Sequence, residues 1–183
     1  MCGIVGYVGE RDCTDVLLDS LSKLEYRGYD SAGIAVFENG EITVEKAKGE
    51  LKNLREKVAE HKPMGHCGIG HTRWATHGEP SDINSHPHGN KRVSIVHNGI
   101  IENYKDIKNF LIDKGYTFIS ETDTETVAKL LDYYYEGDPV DAIIKTLKDV
   151  RGAYALGIVF KDFPDRIFAV RKDSPLIIGA GDE

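Results

Sequence analysis

A chain of 183 residues can bury a sizeable core as one domain, and its 40% hydrophobic and 29% charged content excludes a disordered or fibrous chain. The formal net charge of −7 argues against nucleic acid or an anionic membrane surface as partner. No apolar run approaches the ~18 residues of a spanning helix, and the N-terminus lacks the basic and apolar regions of a signal peptide.

Taken in order, Gly3 to Val8 reads as a short buried strand behind Cys2. Asp12 or Thr14 can cap a helix whose apolar positions are Val16, Leu17, Leu21 and Leu24. It stops at a polar loop, Tyr26-Arg27-Gly28-Tyr29-Asp30. Asn39-Gly40 lies between the apolar runs 32–37 and 42–44, a strong hairpin signal that predicts an antiparallel sheet. Leu51, Leu54 and Val58 mark a second helix. Cys67 to Trp74 reads as a strand whose two glycines imply close approach of a neighbour or a ligand. Residues 75–91 show no period and read as a functional loop.

Val93 to Val96 is a predicted strand closed by His97-Asn98-Gly99. Asn103 is a candidate cap for a helix ending at Gly115, and Tyr116 to Ile119 a further strand. Thr122 or Asp123 opens the next helix. Asp138-Pro139 opens another, with Val140, Ile143, Ile144 and Leu147 as its buried face. Three apolar runs follow: Ala153 to Phe160, Ile167 to Val170, and Leu176 to Ile178. About eight strands and four or five helices, with hairpins among them, predict an α+β sandwich of antiparallel sheets with helices packed outside. The stop at 179–183, directly after a predicted strand, reads as a cut at the edge of a larger protein.

Cys2 can be a small residue entering a strand. If Met1 is removed, it instead carries a thiol and a free α-amine on one residue, and an α-amine titrates at about 7.7–8.0. An N-terminal amine that activates its own nucleophile is a known arrangement. The three cysteines, Cys2, Cys13 and Cys67, make no disulfide framework and fit a reducing cytoplasm. Six of the seven histidines lie between His66 and His97, yet no Cys-x-x-Cys or His-Glu-x-x-His spacing supports a metal site, and no cofactor is implied.

Asn98-Gly99 reads as a hairpin turn or as an oxyanion hole made of a side-chain amide and a backbone N–H. Arg73 is a surface charge or a clamp for a carboxylate. Asp123 is a helix cap or a partner for an ammonium group. Trp74 is core, lid or gate.

Met-Cys-Gly-Ile-Val-Gly at the start, Tyr-Arg-Gly-Tyr-Asp-Ser-Ala-Gly at 26–33, His-Thr-Arg-Trp-Ala-Thr-His-Gly at 71–78, His-Asn-Gly at 97–99 and Glu-Thr-Asp-Thr-Glu at 121–125 occur in this order. Together they resemble the class II glutaminase domains of the glucosamine-6-phosphate synthases. The Tyr-Asp and Trp-Ala variants favour these over the phosphoribosyl-pyrophosphate amidotransferases and asparagine synthetases.

The resemblance covers nearly the whole chain and implies an N-terminal-nucleophile hydrolase fold, a four-layer αββα sandwich with two antiparallel sheets. It implies L-glutamine as substrate and Cys2 as nucleophile, with Asn98 and Gly99 as the oxyanion hole. Arg73 would hold the α-carboxylate and Asp123 the α-ammonium. Thr76, His77 and His86 would line the pocket, Trp74 would gate the ammonia exit, and Arg27 would position the nucleophile's surroundings. It further implies a sugar isomerase domain in the same polypeptide, beyond residues 1–183. A glutaminase feeding another acceptor, and a silent glutamine-sensing or metal-binding module, are the competing readings.

Overall fold

The computed structural model describes residues 2–75 and 78–181. The pattern of apolar residues produces two four-stranded antiparallel sheets, each covered on one side by helices. The first contains β1 (Gly3–Val8), β2 (Ser31–Glu38), β3 (Glu41–Lys48) and β4 (Cys67–Arg73), in the order β1-β4-β2-β3. The second contains β5 (His88–Gly89), β6 (Val93–Ile101), β7 (Gly152–Phe160) and β8 (Phe168–Lys172), in that order.

Three apolar clusters define the layers. Helices α1 (Cys13–Ser22) and α2 (Leu51–Glu60) bury Leu17, Leu21 and Leu54 against the first sheet. Helices α3 (Tyr104–Asp113), α4 (Asp123–Tyr134) and α5 (Pro139–Asp149) bury Leu111, Leu131 and Ile143 against the second. Between the sheets lie Ala35, Phe37, Cys67, Ile69, Val96 and Val159. This is the αββα sandwich. It explains why β2 and β4 are buried on consecutive positions: each has one face toward helices and one toward the opposite sheet.

Local signals account for most boundaries. Asp12 accepts the Thr14 N–H at 3.0 Å and caps α1. Asn39 and Gly40, at φ 51° and 80°, make the β2–β3 turn. Thr122 caps α4, and Asp138, followed by Pro139 in the first turn, caps α5. The glycines of β4 meet helix α1, not a ligand: a Cβ on Gly68 would lie 2.8 Å from Cys13 Sγ.

Several expectations are corrected. Asn98-Gly99 is no turn, because β6 runs through both residues and pairs Asn98 with Ala155 and Gly99 with Tyr154. Residues 116–119 form no strand. The Glu125 carboxylate takes the N–H groups of Ile119 and Ser120 at 3.1 and 2.7 Å, so that segment is held by the start of α4. Residues 176–178 form no strand either, and Ile177 is 93% exposed. Asn103 does not cap α3 with its side chain; its amide instead bonds Asp149 O and the Arg151 N–H. The buried face of α5 is Pro139, Ala142, Ile143 and Thr146, leaving Val140 and Ile144 exposed. The unperiodic stretch before β6 supplies β5 and a cis peptide bond between His86 and Pro87.

Candidate active site

Cys2 stands at the head of β1, the edge strand of the first sheet. Its Sγ accepts the Trp74 N–H at 3.2 Å and lies 3.5 Å from Trp74 O. Burial pushes the Cys2 thiol up, against the pull of the Trp74 hydrogen bond and the Arg73 charge. The thiol is therefore protonated near neutral pH and needs a base to become a nucleophile.

The Trp74 backbone is held by the loop that follows the 3-10 turn Glu25–Arg27. Gly28 packs so closely there that a Cβ would fall 2.8 Å from the Arg73 carbonyl carbon and 3.0 Å from Trp74 N. Asp30 donates its N–H to Arg73 O at 3.1 Å, and its carboxylate accepts the Ala75 N–H at 2.8 Å. The strand end beside the sulfur is thus pinned on both sides of Trp74. The indole is 45% exposed and meets Tyr29 edge-on at 5.6 Å. Arg27 lies on the turn leading into this strap and is not among the residues lining the recess at Cys2.

Arg73 ends β4 with only 4% of its surface exposed. Its guanidinium donates to Gly78 O at 3.0 Å and Glu79 O at 3.4 Å, in the field of Asp30, Asp123 and Glu121. Asp123 occupies the first turn of α4, where the helix N-terminus favours a carboxylate. Its Oδ2 accepts the Ile101 N–H at 2.9 Å, and its Oδ1 lies 4.0 Å from His97 Nδ1. Both charges are buried and both face the same small recess as Cys2, Trp74 and Gly99.

Asn98 and Gly99 approach Cys2 from the second sheet. Asn98 Nδ2 donates to Cys2 O at 3.0 Å, while its Oδ1 lies 3.0 Å from His71 Nε2. Gly99 has φ 131°, and a Cβ there would fall 2.1 Å from Ala153 O. Only glycine fits this backbone, which is both left-handed and pressed against β7.

A stack of imidazoles lies behind the recess, reaching it through His86. His71 and His86 lie face to face at 4.0 Å, and His86 meets His88 edge-on at 5.0 Å. Burial pulls the pKa of His86 and His88 well below the usual histidine value, and that of His71 down to about 3, so all three are neutral. His86 Nδ1 accepts the His97 N–H at 3.2 Å and its Nε2 faces Thr124 Oγ1 at 3.3 Å. Thr124 Oγ1 also bonds His97 Nδ1 at 2.9 Å, which links the stack to Asp123. Among the described residues no three His, Cys, Asp or Glu side chains are arranged to hold a metal.

Of the residues singled out in the sequence, the structure brings together Cys2, Arg73, Trp74, His86, Asn98, Gly99 and Asp123. Thr76 and His77 lie outside the described residues. Sequence reasoning missed His71, His97, Thr124 and the strap residues Gly28 and Asp30. Their signal was membership of the motif stretches 26–33, 71–78, 97–99 and 121–125. The recess holds about 30 Å³, room for one or two waters. A larger apolar cavity of about 580 Å³ runs along the open edge of β1 toward Ile167 and Ile177, away from this cluster of charges.

A buried cation and a buried carboxylate beside a thiol, with an amide and a glycine opposite, are an arrangement that can receive a zwitterion carrying an electrophilic carbonyl. The family comparison agrees. Residues 71–181 match the model of the glutamine amidotransferase domain, and the chain belongs to that family.

The sequence relatives are more particular. The chain is 60% identical over 183 residues to glutamine–fructose-6-phosphate aminotransferase (isomerizing) of Caldanaerobacter subterraneus, and 57% identical over 185 residues to the protein of the same name from Clostridium perfringens. Those alignments cover 99% and 100% of the chain but 30% of each relative, so the chain spans about a third of their length. Among solved structures, glutamine phosphoribosylpyrophosphate amidotransferase from B. subtilis superposes with a TM-score of 0.76 at 26% identity, covering 88% of this chain and 35% of that one.

Proposed function

We propose that the chain is a single glutaminase domain that hydrolyses the side-chain amide of L-glutamine to glutamate and ammonia through a thioester on Cys2. The observation that carries this reading is the convergence on Cys2 of Arg73, Asp123 and the Asn98 amide, drawn from β4, α4 and β6. Glutamine is a zwitterion, so a selective site needs one cation and one anion at fixed separation.

With Met1 removed, the α-amine of Cys2 takes the thiol proton and the sulfur attacks the amide carbon. The carbonyl electron pair moves onto oxygen, where Asn98 Nδ2 and the Gly99 N–H stabilise it. An amide nitrogen carries two N–H groups, so Asn98 can hold Cys2 O with one and the oxyanion with the other. Collapse breaks the C–N bond, and the amine returns its proton to the departing ammonia. Water then adds to the thioester, releasing glutamate and restoring the thiol. No step draws on a metal or cofactor.

Arg73 takes the α-carboxylate, exchanging two neutral carbonyl acceptors for a charge-assisted bidentate pair. Asp123 takes the α-ammonium. His86 is a wall and not an acid or base, since it is neutral and both ring nitrogens are engaged. Thr76 and His77 complete the lining, Trp74 gates the ammonia exit, and Arg27 positions the strap beside the nucleophile.

In the relatives' name the ammonia acceptor is fructose-6-phosphate, and we extend that to this protein. A sugar isomerase domain of the same polypeptide would convert that sugar and the ammonia to glucosamine-6-phosphate. Three free cysteines support a reducing cytoplasm as the location in this reading, and no helix among the described residues is long and apolar enough to cross a membrane.

Intact mass after exposure to a glutamine-like diazoketone tests the chemistry. A single adduct on Cys2 of a chain lacking Met1, together with ammonia release from glutamine, is the expected result. No adduct on a chain confirmed to lack Met1 overturns it.

A further inference from the structure

His71 lies on β4 in the first sheet, while Asn98 lies on β6 in the second. The His71 ring crosses the gap between them. Its Nε2 is 3.0 Å from His97 O and 3.0 Å from Asn98 Oδ1. A backbone carbonyl can only accept, so Nε2 must carry the ring proton and donate to both oxygens. Its other nitrogen, Nδ1, is then an acceptor, and it is buried without a hydrogen-bond partner among the described residues.

That tautomer fixes something else. The Asn98 atom facing a donating Nε2 must be the amide oxygen, so the amide nitrogen must point the other way, toward Cys2. The far side agrees independently, because Cys2 O is also an obligate acceptor and lies 3.0 Å from Nδ2. The His71 ring is held in its plane by the parallel ring of His86, 4.0 Å away with 13° between planes.

We propose that His71 is a positioning residue that holds the Asn98 side chain with its N–H groups, not its oxygen, toward the nucleophile. A flipped amide would present a lone pair to the developing oxyanion and repel it. A rotated one would lose the geometry on which an oxyanion donor depends. His71 itself is not among the residues that line the recess at Cys2. The unpartnered Nδ1 is the cost of this arrangement: a buried imidazole is kept for the one bond its far nitrogen makes. The inference rests on the proposed roles of Cys2 and Asn98.

The test is steady-state glutamine hydrolysis by the intact protein carrying His71→Leu, His71→Gln, His71→Asn, Asn98→Ala and the His71→Leu/Asn98→Ala pair. Removing an oxyanion donor costs about 10²–10³-fold in rate, and misorienting one is expected to cost about 10–100-fold in kcat, with KM within about threefold. His71→Gln, whose amide nitrogen reaches the Nε2 position, restores most of kcat. His71→Asn, one bond shorter, does not, and it serves where His71→Leu fails to fold.

The double variant is no slower than Asn98→Ala alone, because His71 acts only through Asn98. Losses that multiply in the double variant, or His71→Asn as active as His71→Gln, overturn the proposal. If Asn98→Ala alone turns over at the wild-type rate, the oxyanion reading has failed first and the proposal goes with it.

Discussion

The side-chain amide of Asn98 donates to the backbone carbonyl of Cys2 at 3.0 Å, closing a contact between residues 96 apart and on different sheets. The amide nitrogen is thereby turned toward Cys2 before any substrate arrives. Asn98→Ala removes one oxyanion donor and should lower kcat for glutamine hydrolysis by about 10²–10³-fold while leaving KM within a few-fold. Equal losses in binding and turnover would show that Asn98 shapes the site without stabilising the transition state.

What the sequence made legible follows from what is local. Asn39-Gly40, Asp138-Pro139 and the spacing of Leu17 and Leu21 each encode a turn, a cap or a helix face within a few residues. The apolar runs of β2 and β7 are buried on consecutive positions, as the sandwich requires. The long-range partners were hidden. Nothing near Asn98 says that its oxygen bonds His71, and nothing near Tyr116 says that Glu125 will capture the backbone at 119–120 and leave no strand there. Cys2, Arg73 and Asp123 were recognisable as residue types suited to glutamine. Gly28, Asp30 and Thr124 act by packing and hydrogen bonding that only the fold creates.

Gly99 combines φ 131° with a backbone approach that leaves 2.1 Å between a built Cβ and Ala153 O. Backbone strain at such a position costs about 1–3 kcal/mol, and the collision with β7 adds to it. Gly99→Ala should lower unfolding free energy in urea by at least about 2 kcal/mol and abolish ammonia release, since relief requires β6 to move from β7 beside Asn98. An unchanged denaturation midpoint would contradict this geometry.

Asp123→Asn keeps an acceptor for the Ile101 N–H but removes the charge. A hydrogen bond to a charged group is worth about 1.5–3 kcal/mol, so KM for glutamine should rise by about 10–100-fold with a smaller effect on kcat. The comparison that isolates the ammonium contact uses 4-carbamoylbutanoate, which lacks the α-amine. Wild type and variant should process it alike. A variant equally impaired on both compounds would place the function of Asp123 in the support of β6.

The neutral imidazole stack makes stability depend on pH in a direction set by its depressed pKa values. His71 titrates at about 3 in the folded protein against 6.5 ordinarily, and His86 and His88 are lowered as well, all by burial first. Below pH 6.5 the unfolded chain binds protons that the folded chain refuses, so the unfolded state gains ground as pH falls. Stability contributed by neutral burial is complete above about pH 6.5 and erodes down toward the folded values, by at most about 1.4 kcal/mol per pH unit for each histidine. Urea midpoints at pH 7, 6 and 5 should therefore fall progressively. His86→Gln, which removes one titrating ring, should flatten that fall while leaving the slope from the other two. A midpoint constant from pH 7 to 5 would contradict the burial of three neutral rings in the fold.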